Sequence, residues 1–318
     1  MNRPLAFLAA LLFAAIAVSS ACMARSNADG ISFELKPALH GGYLQLALWN
    51  RTEGHNSMNG SSYSPKDLPG LDYQALAATG RNPVAFALVR EAGRVDCSGT
   101  GSNGVATGAC RFTANPGFAD YLATHGIARP NRDEAFGLTM TSASRALVEA
   151  LASNRYPRPN IEELTALSAL EVSRDYIDAL AARGFRPKDL DELTEFAALK
   201  VTPDYIEGLR GAGYTRMDAD EIVQFKALNI TPQFISNLAA AGYPNLKADE
   251  LTQFAALDIT PAFIGEFARA GFSGLDVETL VQLKALNVTP EFVRSVESHG
   301  LHPRTADQLV KLKIALDH

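Results

Sequence analysis

Glycines recur at one spacing along the C-terminal two-thirds of the chain. Six of them fall on a grid of 29 residues with a single vacancy at Arg155: Gly126, Gly184, Gly213, Gly242, Gly271 and Gly300. Self-similarity at a fixed period of roughly 20 to 50 residues is typical of stacked supersecondary units, none of which buries its apolar face alone. The grid therefore predicts a repeat array.

The residues between the glycines repeat as well. A Thr-Pro-x-aromatic-aliphatic block recurs, and its five copies start at Ser173, Thr202, Thr231, Thr260 and Thr289. An Ala-Leu pair precedes each block, with its alanine at Ala169, Ala198, Ala227, Ala256 and Ala285. These blocks predict five regular repeats over 164–308. We expect the small alanines to let a neighbouring helix approach closely.

One repeat can be read as a pair of short helices. Asp189 and Glu192 have the spacing of a capping box, which opens a first helix. Thr202 then acts as the N-cap and Pro203 as the first residue of a second helix, which Gly213 ends in the left-handed conformation. Helices of about ten residues are too short to be stable alone in water, so the neighbouring repeats must hold them.

Degenerate copies extend the array in both directions. Asn115-Pro116-Gly117-Phe118 fits the start of a second helix, and a later copy begins at Ser144. We therefore expect the array to cover 115–318, with two degenerate repeats first and a capping half-repeat at 309–318. Atypical terminal units are what the ends of an array require.

Residues 1–24 have the character of a secretory signal peptide. Asn2-Arg3 gives a positive start, and an uncharged apolar run of 14 residues follows from Leu5 to Val18. The run is too short for a lasting membrane helix, although a retained anchor stays an alternative. Ser19-Ser20-Ala21-Cys22 resembles a lipoprotein box, so a second alternative is a signal that ends at residue 21 and a lipid anchor on Cys22.

Export favours a disulfide bond between the two remaining cysteines, Cys97 and Cys110, because an oxidising compartment permits one. The glycine-rich stretch between them predicts a closed loop that joins two strands. A redox pair is the alternative, but the spacing is not Cys-x-x-Cys. Two cysteines without nearby ligands do not make a zinc site.

Residues 25–114 follow a different pattern, that of a small β domain. Alternating residues at 31–35 and 43–48 predict a hairpin, and apolar residues at 84–89 predict a further strand. The last strand is expected at 109–113, and the polar segment 50–70 is expected to be a mobile loop. The predicted fold class is thus α+β: a small, mainly antiparallel β domain followed by an α-solenoid of 29-residue helix-hairpin repeats.

Three segments together resemble a known family. They are 86–93, then Cys97-Ser98-Gly99, then 112–118, and the Thr-Pro-x-Phe/Tyr-Ile repeats follow them. The pattern resembles the extracytoplasmic region behind some bacterial anti-repressor membrane metallopeptidases of the β-lactam-sensor type, and it covers most of residues 80–318. The His-Glu-x-x-His zinc helix and the membrane helices of that family have no counterpart here, so the resemblance implies no peptidase activity.

No catalytic, metal or cofactor motif stands out. None of the six histidines forms a zinc-binding pair on a helix, and His299 and His302 straddle a glycine that ends a helix. The Gly-x-Gly-x-x-Gly stretch at 99–104 lacks the helix that a phosphate cradle needs. A net charge of −6 argues against nucleic-acid binding. The sequence therefore predicts a non-enzyme without a cofactor.

Stacked repeats place residues of equal offset in ladders. One polar ladder would consist of Glu195, Gln224, Gln253 and Gln282, with Lys226 and Lys284 on an adjacent line. Such a ladder is a candidate partner-binding surface, and an ordinary solvated face is the alternative.

These observations predict an exported, periplasmic, non-enzymatic interaction or scaffold protein of the bacterial cell envelope, linked to envelope sensing. Its partner would be another envelope protein, and the mature chain would have no transmembrane segment. The alternative is an enzyme or small-ligand binder with its site at the junction of the β domain and the first repeats, which would use Tyr63, Asp67, Arg90, Asp96 and His125. A lipid-tethered spacer is a third hypothesis, which requires a lipidated Cys22.

Overall fold

The chain folds into two compact units. The structure, a computed structural model, describes residues 30–39, 41–52 and 55–317, so the predicted signal peptide and Cys22 lie outside the described residues. Of the described residues, one unit comprises those up to Leu88 together with Val95–Thr113, and the other comprises Val89–Arg94 and those from Ala114 onward. Strands dominate the first unit and helices the second, which confirms the α+β class. Among the described residues, no helix has the length and apolar character needed to cross a membrane.

The first unit is built on a six-stranded antiparallel sheet. Its strands are β1 Ile31–Pro37, β2 Leu44–Thr52, β3 His55–Tyr63, β4 Asn82–Val89, β5 Gly93–Ser102 and β6 Val105–Ala114. They lie in the order β3-β2-β1-β6-β5-β4, and a 3₁₀ turn Pro65–Asp67 and a short helix α1, Tyr73–Ala77, connect β3 to β4.

The predicted N-terminal hairpin is confirmed. β1 and β2 pair antiparallel from Ile31 opposite Asn50 to Pro37 opposite Leu44. Alternate residues of β1, namely Ile31, Phe33 and Leu35, are buried. Side chains of a strand alternate between its two faces, so this pattern fixes which face of the sheet forms the core.

The expectation of a loop over 50–70 was wrong. β2 continues to Thr52, and β3 pairs with it from Thr52 opposite His55 to Leu44 opposite Tyr63. β3 lies at the edge of the sheet, its residues 58–62 are not buried, and Met58 is 67% exposed. A polar edge strand carries little of the apolar alternation that reveals a strand in sequence.

The Cys97–Cys110 disulfide is present, with the two Cα atoms 4.0 Å apart. The cysteines do not flank a loop, however, because β5 and β6 run through the glycine-rich segment as neighbouring strands. The chain reverses at Asn103 and Gly104, whose φ angles are 52° and 84°. Two left-handed residues with an Asn-Gly sequence are the signature of a tight hairpin turn, a local signal that the loop interpretation overlooked.

In the described part of the second unit, helices of each kind start at intervals of 29 residues throughout. The second helices of the repeats are α2 Pro116–Thr124, α4 Arg145–Ser153, α6 Arg174–Ala182, α8 Pro203–Gly211, α10 Pro232–Ala240, α12 Pro261–Arg269 and α14 Pro290–Ser298. The first helices are α3 Arg132–Met140, α5 Ile161–Ala169, α7 Leu190–Ala198, α9 Ala219–Ala227, α11 Ala248–Ala256, α13 Val277–Ala285 and α15 Ala306–Asp317.

Helices of one kind pack on the same kind in the next repeat. First helices contact first helices, as α7 contacts α9, and second helices contact second helices, as α8 contacts α10. One position of the first helices is fully buried in the six from α3 to α13: Leu138, Leu167, Phe196, Phe225, Phe254 and Leu283. This continuous apolar ladder is the packing expected of an α-solenoid.

The predicted second-helix starts are confirmed. The Thr231 side chain accepts a hydrogen bond of 3.0 Å from the Phe234 N–H, and Pro232 follows as the first helical residue. The first-helix start at Asp189 differs in detail. Asp189 accepts from the Glu192 N–H at 2.9 Å, but the Glu192 carboxylate accepts from the Lys188 N–H instead of the Asp189 N–H.

All six glycines of the grid have positive φ, and Arg155 at the vacancy does too, with φ of 59°. A second left-handed ladder follows the first helices and contains no glycine: Ser142, Glu171, Lys200, Asn229, Asp258 and Asn287. Both helices of each repeat therefore end in the same conformation, and sequence alone revealed only one of the two ladders.

The repeated alanines do not serve close helix packing. Each is the last residue of a first helix, and each is exposed: Ala169, Ala198, Ala227, Ala256 and Ala285. The prediction of a close approach at these positions was therefore wrong. Alanine has the highest helix propensity, which suits an exposed position at a helix end.

Candidate interaction surface

The predicted polar ladder lies on one exposed face of the array. Glu195, Gln224, Gln253 and Gln282 are all exposed, and each stands three residues before an exposed alanine. Residues three apart on a helix share a face. We call the surface that they form the first-helix face; its residues are Glu195, Gln224, Gln253, Gln282, Ala198, Ala227, Ala256 and Ala285.

The two lysines beside this ladder are engaged within the array. The Lys226 Nζ lies 4.5 Å from the centre of the Tyr205 ring, and the Lys284 Nζ lies 4.7 Å from the centre of the Phe263 ring. Lys284 also lies 3.6 Å from the Asp258 carboxylate. Such cation–π contacts contribute about 0.5–1 kcal/mol at exposed sites, so a partner that recruits these ammonium groups must compete with the aromatic rings.

Tyrosines link neighbouring repeats through their hydroxyl groups. The Tyr176 hydroxyl donates to the Val201 carbonyl at 2.8 Å, and the Tyr205 hydroxyl donates to the Ile230 carbonyl at 2.7 Å. Burial raises the pKa of both phenols well above their usual value. These phenols stay neutral at ordinary pH and act as structural donors.

A niche lies between successive repeats, where a second helix ends. It is bounded by the C-terminal end of one second helix, the next second helix and the first helix that follows. We call this space the inter-repeat niche. The copy formed by α10, α12 and α13 has a cavity of about 380 Å³, and its lining residues include Ala241, Gly242, Tyr243, Ala268 and Ser273.

An earlier copy of the same niche is closed. The copy formed by α6, α8 and α9 has a cavity of about 10 Å³, and Arg210 is among its lining residues. One terminal guanidinium nitrogen of Arg210 donates to the Arg183 carbonyl at 2.7 Å. Arg183 is the C-cap residue of α6, so the Arg210 side chain caps the C-terminus of a helix in the preceding repeat.

A third copy of the niche, at the C-terminal end of α4, also contains an arginine side chain. This arginine comes from a different position of the repeat than Arg210. The Arg186 Nε donates to the Asn154 carbonyl at 2.7 Å, and its Nη2 donates to the Arg155 carbonyl at 2.6 Å. The same guanidinium lies 4.6 Å from the centre of the Tyr156 ring. Asn154 is the C-cap residue of α4, as Arg183 is of α6. In two repeats, an arginine side chain therefore binds the carbonyl of a second helix's C-cap residue.

Two histidines of the helical unit make helix-terminal contacts. The Nδ1 atom of His125 lies 2.9 Å from the Tyr121 carbonyl oxygen, and that of His299 lies 2.8 Å from the Ser295 carbonyl oxygen. Among the described residues, no group of three or more His, Cys, Asp or Glu side chains is placed to hold a metal ion.

The five residues of the alternative site belong to both units. Tyr63, Asp67 and Asp96 lie in the first unit, and Arg90 and His125 lie in the second. The Asp67 carboxylate accepts from the Ser64 N–H at 3.2 Å, and the Arg90 Nε donates to the Ser142 hydroxyl at 3.0 Å. A junction site built from these residues stays a prediction.

Comparison with models of protein families, with curated proteins and with solved structures finds no match to this chain. The resemblance to the extracytoplasmic sensor region thus stays a prediction.

Proposed function

We propose that the chain is an exported, non-enzymatic interaction protein whose helical array binds another protein of the bacterial cell envelope. The observation that carries this proposal is the first-helix face, a ladder of exposed Glu and Gln side chains at one offset in four successive repeats. Solenoids commonly bind extended partners along such continuous surfaces.

The composition of this face suits a protein partner. Amide side chains both donate and accept hydrogen bonds, and the exposed alanines between them leave room for another backbone to approach. The six polar residues of the predicted site do not contribute equally, because Lys226 and Lys284 already contact aromatic rings. The glutamines at 224, 253 and 282 are therefore the residues to test first.

Export and a role in envelope sensing are part of the same proposal. The Cys97–Cys110 bond supports export, because disulfides persist in oxidising compartments such as the bacterial periplasm. A lipid anchor on Cys22 is one way to hold the protein at a membrane, and mass spectrometry of the mature N-terminus decides whether it is present.

Crosslinking of the native protein in the envelope fraction tests the proposal. The wild type is compared with a variant that carries Gln224→Ala, Gln253→Ala and Gln282→Ala. We expect one dominant crosslinked protein with the wild type and its loss with the variant, whose circular dichroism and melting temperature should match those of the wild type.

A matched control changes three exposed second-helix residues instead: Glu207→Ala, Ser236→Ala and Arg294→Ala. This control should retain the crosslinked protein. Equal capture by the wild type and both variants would show that the first-helix face is only a solvated surface. Turnover of a substrate by a protein with a fully altered face would overturn the non-enzymatic assignment.

A further inference from the structure

We propose that the open inter-repeat niche formed by α10, α12 and α13 binds the guanidinium group of an arginine from a partner protein. The inference deepens the proposed interaction function and rests on it, because it names a side chain through which the partner would bind. It concerns a different part of the repeat from the first-helix face and is tested separately.

The array itself shows what the niche accepts. In two other repeats, an arginine of the chain donates hydrogen bonds to the carbonyl of the residue that ends a second helix. Arg210 reaches this carbonyl from the next second helix, and Arg186 reaches it from the loop that follows. The same acceptor is thus satisfied by the same chemical group from two directions.

The open copy has the acceptor side without either arginine. Counting in 29-residue steps, Ala268 stands at the position of Arg210, and Ser273 stands at the position of Arg186. Ala241 stands at the position of Asn154 and Arg183, and no hydrogen bond reaches its carbonyl from the described part of the chain. The copy lined by Ala268 has a cavity of about 380 Å³, and the copy lined by Arg210 has one of about 10 Å³.

The open niche also has an aromatic ring at the position where a ring contacts Arg186 in the occupied copy. Tyr243 stands at the position of Tyr156, whose ring lies 4.6 Å from the Arg186 guanidinium. Tyr243 lines the open niche, and its hydroxyl donates to the Leu275 carbonyl at 2.5 Å, which fixes the ring. An incoming guanidinium could therefore stack on this ring while it donates to the helix end.

The local charge favours a cation. The C-terminal end of a helix carries a partial negative charge. The Tyr243 hydroxyl donates to the Leu275 carbonyl, so the next residue, Asp276, lies close to this ring, and burial and the negative charge of Asp276 both raise the pKa of Tyr243. Arginine fits better than lysine because its planar fork can donate two hydrogen bonds and stack on an aromatic ring at once.

Titration with N-acetyl-arginine amide, followed by the NMR signals of the Gly242 and Gly274 amides, tests the proposal. N-acetyl-citrulline amide, which has nearly the same shape without the charge, is the matched ligand control. We expect saturable shifts with the arginine compound, with a Kd on the order of millimolar for a single side chain, and none with citrulline.

Two variants of the full chain complete the test. Ala268→Arg recreates the occupant seen in the closed copy and should weaken binding at least tenfold while it raises the melting temperature. Ala262→Arg adds the same charge at an exposed position of the same helix and should leave binding unchanged. Equal shifts with citrulline, or wild-type binding by Ala268→Arg, would overturn the proposal. Because Ala268→Arg leaves the first-helix face intact, failure here would not remove a partner captured through that face.

Discussion

At the scale of single residues, residues in the left-handed conformation mark where the helices of the array end. Seven such positions follow the second helices, and six of the seven are glycine. Six more follow the first helices, and none of those is glycine. An L-residue in the left-handed conformation costs about 1–2 kcal/mol. The six first helices from α3 to α13 therefore end at a conformational cost that the second helices largely avoid.

Gly242→Val should destabilise the array by about 1–2 kcal/mol, because a β-branched residue would be held at a left-handed φ. The φ angle of Gly242 is 99°, and an added Cβ atom would have no heavy atom within 4 Å, so the backbone conformation alone causes the loss. Thermal unfolding followed by circular dichroism measures it. Gln253→Ala should change stability by less than about 0.5 kcal/mol. Equal melting temperatures of the two variants would contradict the assignment of Gly242 as a left-handed residue that ends a helix.

Arg155→Gly should stabilise the array by about 0.5–1 kcal/mol, because it fills the one vacancy of the glycine grid with the residue that its φ of 59° favours. The Arg155 carbonyl, which Arg186 binds, is retained. Ala152→Gly, three residues earlier on an exposed helix position, should cost a similar amount. Urea unfolding of both variants tests the contrast, and shifts of the same sign would contradict it.

At the scale of elements, each second helix starts in the same way. A side-chain oxygen caps the helix N-terminus: it is a Ser or Thr hydroxyl in six copies, as in Thr231 of α10, and the Asn115 amide in α2. Proline follows in five of the copies as the first helical residue. These starts need no tertiary contact, since cap and proline act within one turn of chain. That independence keeps the repeats in register although their exposed residues vary.

Thr231→Ala should destabilise the array by about 1 kcal/mol, because the Phe234 N–H would lose its acceptor. Thr231→Ser keeps a hydroxyl at the cap and should stay close to the wild type. Chemical unfolding of the three proteins measures the difference. A loss as large for serine as for alanine would mean that the methyl group of Thr231, and not its oxygen, matters.

Local signals explain which elements sequence could predict. Helix starts and glycine ends were predictable because they depend on one turn of chain, and so was the β1–β2 hairpin, whose apolar residues alternate. β3 was missed because its residues are polar on both faces, and the β5–β6 hairpin was read as a loop although Asn103-Gly104 marks its turn.

The candidate sites divide in the same way. The 29-residue period and the polar side chains at Glu195, Gln224, Gln253 and Gln282 were enough to predict that these residues form an exposed ladder. The inter-repeat niche was not predictable, because it depends on which side chains of three helices meet around one carbonyl. Arg210 and Ala268 occupy equivalent positions, yet only the folded chain shows that the first fills a space that the second leaves open.

At the scale of the whole molecule, the described core of the helical unit forms two clusters. One reaches from Ala92 to Ile222 and the other from Leu209 to Val310, so they overlap in sequence near α8 and α9. Each repeat contacts its neighbours, and stability in such an array is close to a sum of local terms. Tyrosines whose hydroxyls cross from repeat to repeat add a pH-dependent term to that sum.

Stability should fall as the pH rises above about 10, where tyrosines of the unfolded chain ionise. Burial raises the pKa of Tyr156 to about 12 and that of Tyr176 and Tyr205 further. The folded state therefore binds more protons than the unfolded state in this range, so the stabilisation is complete below pH 10 and is lost as the pH rises towards 12.

Urea unfolding between neutral pH and pH 11 measures this fall, and tyrosinate absorbance of the folded protein reports the ionisation directly. A double variant with Tyr176→Phe and Tyr205→Phe should be less stable at neutral pH, because two inter-repeat hydrogen bonds are lost. Its stability should also depend less steeply on alkaline pH. A wild-type slope in the double variant would contradict the role of these phenols.

The constant 29-residue period also bears on how such a chain can evolve. Duplication or deletion of one full period joins a helix end to a helix start of the kind it already meets, so recombination between copies can lengthen or shorten the array without inventing an interface. Exchange of one residue, such as Arg210 for the alanine found at 268, changes the lining of a niche in a single copy. The length of the array and the lining of each niche can therefore change through different kinds of genetic event, and either can vary while the other is preserved.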